Sequence, residues 1–232
     1  IRQSESMSLS AAFPILMRKV YLWMAMALAI SGLTAYSVAA SPGLVQLIYS
    51  NSLVMWGCII AELVMVWKIS NSVTKENRSL ATTTLMFIIF SALNGLTLSS
   101  IFVVFAPAAI VKTFVITAGT FGVMAAYGYF TSRDLTKIGG LLFMALIGVI
   151  IASVVNMFLH SSGLDLVVSI IGVLVFVGLT AWDSQKIKMS LAMAPDLGET
   201  SQKLALTGAL SLYLDFVNLF LYLLRFFGGS RD

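Results

Sequence analysis

Three of the ten acidic residues, Glu62, Asp183 and Asp215, lie inside long apolar runs rather than in the polar segments between them. Away from water a carboxylate costs roughly 2.5–3.5 kcal/mol on insertion scales, so it faces a bundle interior or a water-filled path. Carboxylates that meet there could exchange protons, ligate a hard cation such as calcium, or activate a water. Asp215 is the most informative, standing about midway along the last apolar run. Residues three, four and seven apart share a helix face. From Asp215 that face carries Gly208, Ser211, Asn218, Tyr222 and Arg225, while the opposite side is Leu, Phe and Val. Such a stripe reads as a central helix lining a pathway or network. The competing reading is interhelical hydrogen bonding, commonly worth about 0.6 kcal/mol per bond. Glue of that kind does not require an Asp at mid-depth.

Asp183 lies near the end of the preceding run, in Thr180-Ala181-Trp182-Asp183-Ser184-Gln185-Lys186. Alone it reads equally as an interfacial ion pair with Lys186. The short connection to the last run makes the two helices antiparallel neighbours, which brings Asp183 and Asp215 into question together. A straight-helix count places them at different depths, so a tilt or a break would have to join them. Glu62 falls mid-run in Ile60-Ala61-Glu62-Leu63, with Arg225 as its expected counter-charge. The remaining acids, Glu5, Glu76, Asp134, Asp165, Asp196, Glu199 and Asp232, read as solvated charges of tails and connections. Asn94, Ser153 and Asn156 read as helix-packing residues. His160 is the lone histidine, and one histidine makes a poor metal site.

These residues need elements to hold them, and the composition decides which. Hydrophobic residues make up 59% of the 232 positions and charged residues 10%, with a mean hydropathy of +0.98. A soluble domain carries about 25% charged residues. In a bilayer every backbone amide is satisfied within the protein, so spans are helices or closed barrels. Unbroken apolar runs, rather than short alternating strands, select helices. The fold class is therefore all-α, a polytopic membrane protein of seven transmembrane helices, each near the roughly 20 residues a span needs.

The expected spans are Val20–Ala40, Ser52–Ser70, Ala81–Phe105, Lys112–Phe130, Ile138–Leu159, Leu164–Ile187 and Leu204–Phe227. Clusters such as Ser41-Pro42-Gly43, Ala106-Pro107 and Ser161-Ser162-Gly163 punctuate them. Residues 1–19 form a polar N-terminal tail, 20–227 a single transmembrane domain and 228–232 a short C-terminal tail. The first run is long enough to span and reads as a helix rather than a cleavable signal.

All of the 14 Lys and Arg residues except Lys112, Arg225 and Arg231 fall on one side of this layout. The positive-inside rule then makes the N-terminus cytoplasmic, and seven spans place the C-terminus outside. The net charge of +4 follows this topology and is no nucleic-acid signature. Cys58 is the single cysteine, which leaves no intrachain disulfide.

Ser211-Leu212-Tyr213-Leu214-Asp215-Phe216-Val217-Asn218-Leu219-Phe220, continuing to Leu224-Arg225-Phe226-Phe227-Gly228, resembles the last-helix signature of the Bax inhibitor-1 family. Gly178-Leu179-Thr180-Ala181-Trp182-Asp183-Ser184-Gln185-Lys186-Ile187-Lys188 resembles the family's sixth-helix motif, with Trp182 where a Tyr commonly stands. The likeness covers nearly the whole chain, and Glu62 suits the family's second helix. It implies six helices around a central seventh. It also implies that Asp183 and Asp215 form a pH-sensitive pair in a protein that leaks calcium down its gradient, with both acids as the calcium contacts. Bacterial members carry an Arg farther along the second helix that latches this pair; here Val73 stands at about that place, between Lys68 and Lys75. The short connections are similar to those of bacterial members, which implies the plasma (inner) membrane.

Three functions compete. The first is a cation leak channel or transporter gated by protons, with the lipid bilayer, calcium and protons as its partners and no cofactor. Two close carboxylates cannot both ionise cheaply, so the pair should hold a proton in common and titrate as a unit. Glu62, Ser211, Asn218, Tyr222 and Arg225 would support it. The second is a regulator that binds other membrane proteins, such as a membrane protease or a cell-death factor, through Arg2 to Lys19. The third is an intramembrane aspartyl protease, which the Tyr213-Leu214 approach to Asp215 does not resemble. The chain is expected not to be an enzyme.

Overall fold

The structure is a computed structural model that describes residues 2–75 and 78–228, with side chains from Ala12 onward. Among the described residues nine α-helices follow one another: α1 (Arg2–Ala39), α2 (Pro42–Tyr49), α3 (Ser52–Ser70), α4 (Leu80–Leu98), α5 (Ser100–Val104), α6 (Pro107–Phe130), α7 (Thr136–Leu159), α8 (Ser162–Ala192) and α9 (Glu199–Phe227). Their starts follow local chemistry. Pro42 and Pro107 open α2 and α6, where a missing N–H costs nothing. The Asn51 and Ser79 side chains accept the Leu53 and Thr82 amides at 3.0 and 3.2 Å, the usual satisfaction of a helix's first free donors. His160 ends α7 in the left-handed region, at φ 48°.

Among the described residues seven segments are long and apolar enough to cross a membrane: Ala12–Ala39, Ser52–Ser70, Leu80–Val104, Pro107–Phe130, Thr136–Leu159, Ser162–Ala192 and Glu199–Phe227. The seven expected spans are all present, and the chain is an all-helical membrane protein. Most of the ends that differ lie beyond the expected bounds, while the first and third spans stop one residue short, at Ala39 and Val104. α1 reaches back through the stretch read as a polar tail, α8 runs on past Ile187 to Ala192, and α9 begins at Glu199 rather than Leu204. Apolar composition stops at the first charges, whereas backbone hydrogen bonding continues through Lys186, Lys188 and Lys203. The connection at Ser41-Pro42-Gly43 is itself mostly helix α2. Of the most apolar stretch of each span, 61% is buried in α9 and only 6% in α3. Arg231, Asp232 and Glu76 lie outside the described residues.

The chain divides into two compact units, Ile1–Val104 with Met189–Tyr213, and Phe105–Lys188 with Leu214–Asp232. In the first, α1 packs on α4 and the adjoining part of α9. Leu16, Val20, Phe87, Phe90, Leu206 and Tyr213 are fully buried, and Phe87 and Phe90 meet the Tyr213 ring edge-on at 6.3 and 5.8 Å. Lys19 donates to Gln202 Oε1 at 2.8 Å, and Glu199 accepts the Leu80 amide at 2.5 Å.

In the second unit α6, α7, α8 and the end of α9 pack together. Gly128 of α6 lies so close to Ala181 of α8 that an added Cβ would strike the Ala181 carbonyl. Backbone cannot yield as a flexible side chain does, so Gly128→Ala must separate the helices. The expected cost is about 1–3 kcal/mol, as for other overpacked cores. It should appear as earlier thermal unfolding in detergent. Gly119→Ala on the same helix meets open space and should leave unfolding unchanged.

Candidate functional site

The segment of α8 from Ala181 to Lys188 is fixed from several sides. Trp182 lies over Gly139 of α7. Ser184 Oγ donates to the Ala125 carbonyl at 2.8 Å. Gln185 bridges the α6–α7 connection, accepting the Leu135 amide at 2.9 Å and donating to the Arg133 carbonyl at 2.7 Å. Lys188 Nζ donates to the Tyr129 carbonyl at 2.6 Å and sits over the Tyr129 ring. Asp183, half-buried, stands in the middle of this clamp.

Asp215 belongs to the same unit. Its side chain is 5% exposed, and its Oδ2 has no hydrogen-bond partner among the described residues. The charged neighbour acting on it is Asp183; the one acting on Asp183 is Lys186, on the next turn of α8. Phe216, next in sequence, packs its ring on Phe114 and Phe121 of α6, both at 5.4 Å, which fixes the turn of α9 that carries Asp215. With α8 running to Ala192, Asp183 lies more than two turns from the helix end.

The rest of the expected stripe on α9 separates. Ser211 is half-buried. Asn218 donates to the Leu214 carbonyl of its own helix at 2.8 Å. Tyr222 stacks on Phe176 with centroids 5.8 Å apart and lies against Gly172. Arg225 pairs with Asp165 at 3.6 Å and caps the Tyr222 ring. The pairing of Arg225 with Glu62 is therefore corrected: Arg225 pairs with Asp165, a half-exposed acid in the first turn of α8. Helix periodicity assigns a face but not the residues opposite it.

Glu62 has other partners. Thr97 Oγ1 donates to its Oε1 at 2.8 Å, and Asn94 Nδ2 to its Oε2 at 3.2 Å. Tyr213 Oη donates to Asn94 Oδ1 at 2.7 Å and lies 2.6 Å from Ser31 Oγ. Ser31 Oγ is also within 2.7 Å of the Ser91 carbonyl. A polar chain thus runs Glu62–Asn94–Tyr213–Ser31 through the first unit, half-buried at Glu62 and Asn94 and buried at Tyr213 and Ser31. Sequence reasoning took Asn94 for a packing residue and passed over Tyr213 and Ser31. The available signal was a tyrosine hydroxyl at mid-span, which needs a partner when buried. Among the described residues no group of three or more His, Cys, Asp or Glu could hold a metal ion.

The family model for inhibitor of apoptosis-promoting Bax1 matches residues 14–232. The chain belongs to the Bax inhibitor-1 family. A relative from Escherichia coli (strain K12), inner membrane protein YbhL, is 48% identical over 217 residues, covering 93% of this chain and 92% of that one. An uncharacterized protein of Borreliella burgdorferi is 46% identical, covering 92% and 91%. An uncharacterized membrane protein of Streptococcus pyogenes is 36% identical, covering 91% of each chain. This Bax inhibitor-1 family member is thus an integral membrane protein, similar along nearly its full length to a bacterial inner membrane protein.

Proposed function

We propose that this protein is a pH-sensitive, calcium-permeable leak channel or transporter, gated by protonation of the Asp183–Asp215 pair. One observation carries the reading: Asp215 is buried midway along α9 with a carboxylate oxygen that has no hydrogen-bond partner among the described residues. A buried carboxylate with an unmet oxygen weakens a fold. Its retention is better explained by a changing partner, a proton in one state and a cation in another. In this reading Asp183, whose charge acts on Asp215, shares that proton.

Calcium takes 6–8 oxygen ligands, and two carboxylates with their neighbouring carbonyls supply too few to store it. That suits an ion in transit. Nothing in the proposal calls for bond-making chemistry, so the protein acts as a conductor and not as an enzyme. By the distribution of Lys and Arg the N-terminus is cytoplasmic and the C-terminus outside, in a bacterial inner membrane such as the one YbhL is named for.

The test is reconstitution of the purified full chain into vesicles loaded with a calcium indicator. Calcium is added outside while pH is stepped across roughly 5 to 8, the range in which physiological switches titrate. Influx above that of protein-free vesicles, varying with pH, is expected. Influx indistinguishable from empty vesicles at every pH would refute conduction.

A further inference from the structure

An open cleft of about 590 Å³ lies where α7 ends, α8 begins and α9 ends. Every residue lining it belongs to the second unit. Its walls have two characters. Val154, Met157 and Val168 make an apolar side, and Val154 and Met157 are 50% and 55% exposed beside the outward-facing Phe158 and Leu159. In an integral membrane protein that surface meets acyl chains. The other side carries Asp165 and Arg225.

This ion pair is not explained by stability. Both side chains are 49% exposed, and exposed pairs contribute little. Their 3.6 Å separation is looser than the roughly 2.7–2.9 Å of a fitted charge-assisted bond. Each group keeps unused capacity: a guanidinium has five N–H donors and a carboxylate about four acceptor sites. The first turn of α8, a 31-residue helix, begins at the cleft with Ser162, adding the partial positive charge of a helix N-terminus beside Arg225.

We infer that this cleft binds the headgroup of a zwitterionic phospholipid bearing a primary ammonium, phosphate on Arg225 and the α8 N-terminus, ammonium on Asp165, with an acyl chain along Val154 and Met157. The chemistry selects among lipids. A glycerol headgroup satisfies Arg225 and offers Asp165 neutral O–H donors but no positive charge. A quaternary ammonium offers Asp165 charge but no N–H donor. Only a primary amine completes both. This inference is independent of ion conduction, because its readout is binding.

The test uses the full chain in detergent, titrated with phosphatidylethanolamine, phosphatidylcholine and phosphatidylglycerol of identical acyl chains. Retained lipid is counted by native mass spectrometry. A hydrogen bond to a charged group corresponds to roughly tenfold in affinity, so the ethanolamine lipid should be held about that much more tightly than the choline lipid. Asp165→Asn should abolish that discrimination, and Arg225→Gln should weaken retention of both. Asp165→Glu should keep the preference. Both positions are half-exposed, so the variants should elute as the parent does, and a collapsed elution profile is met by reading Asp165→Glu and Asp165→Asn against each other. Equal retention of the three lipids, tighter retention of the glycerol lipid, or a preference that survives Asp165→Asn would overturn the inference. Displacement of the lipid by soluble phosphoethanolamine at equal concentration would overturn the lipid as the source of the headgroup.

Discussion

In indicator-loaded vesicles with calcium added outside, Asp215→Asn is expected to hold influx within about twofold across the pH range where the parent protein responds. A single titrating step changes an ionised fraction by up to about tenfold per pH unit, so the contrast should be large. Asn keeps the size and polarity of the side chain and removes its proton equilibrium. A structural role for Asp215 would therefore survive the change, and a gating role would not. Asp183→Asn should flatten the response as well, and the double variant should add little, because coupled groups titrate as one unit. An Asp215→Asn protein that follows the parent curve point for point would rule out the pair as the gate, while leaving conduction itself to be judged by the vesicle assay.

The largest loss of stability is expected at Tyr213. Its side chain is fully buried, its ring is held between Phe87 and Phe90, and its hydroxyl joins Ser31 to Asn94. Removing an aromatic ring from a packed core costs about 3–5 kcal/mol, so Tyr213→Ala should unfold far earlier or fail to accumulate. Tyr213→Phe isolates the hydroxyl. It leaves Asn94 Oδ1 without its donor and should cost about 1–3 kcal/mol, the usual penalty for stranding a buried polar group. Tyr36→Phe, on a ring that is 64% exposed, serves as the neutral control. Thermal unfolding in detergent would rank the three. A Tyr213→Phe protein as stable as the parent would mean that the Glu62–Asn94–Tyr213–Ser31 chain contributes nothing net. That outcome is allowed where the unfolded state in lipid finds substitute partners.

These two residues stand two positions apart on α9 and were not equally legible. Asp215 announces itself, since a charge in an apolar run violates the rule that shapes every residue around it. Tyr213 breaks no rule: an aromatic in such a run reads as packing. Its partners lie 182 and 119 residues away in sequence, and no local pattern records them. The stripe of Ser211, Asn218, Tyr222 and Arg225 shows the same limit. Spacing put them on one face, yet Asn218 turned to its own backbone, Tyr222 to a ring stack and Arg225 to Asp165.

The order of apolar runs along the chain determined that it is helical with seven membrane-spanning segments, because water and lipid impose that outcome on a chain with so few charges and such long apolar runs. It also marked Asp183 and Asp215, because a carboxylate in lipid is costly wherever it occurs. Tertiary structure decided who meets whom: Asn94 and Thr97 on Glu62, Asp165 on Arg225, Ser31 on Tyr213. Such pairings depend on which helices pack together and at what register, down to the missing Cβ of Gly128, and that information is spread over the whole chain.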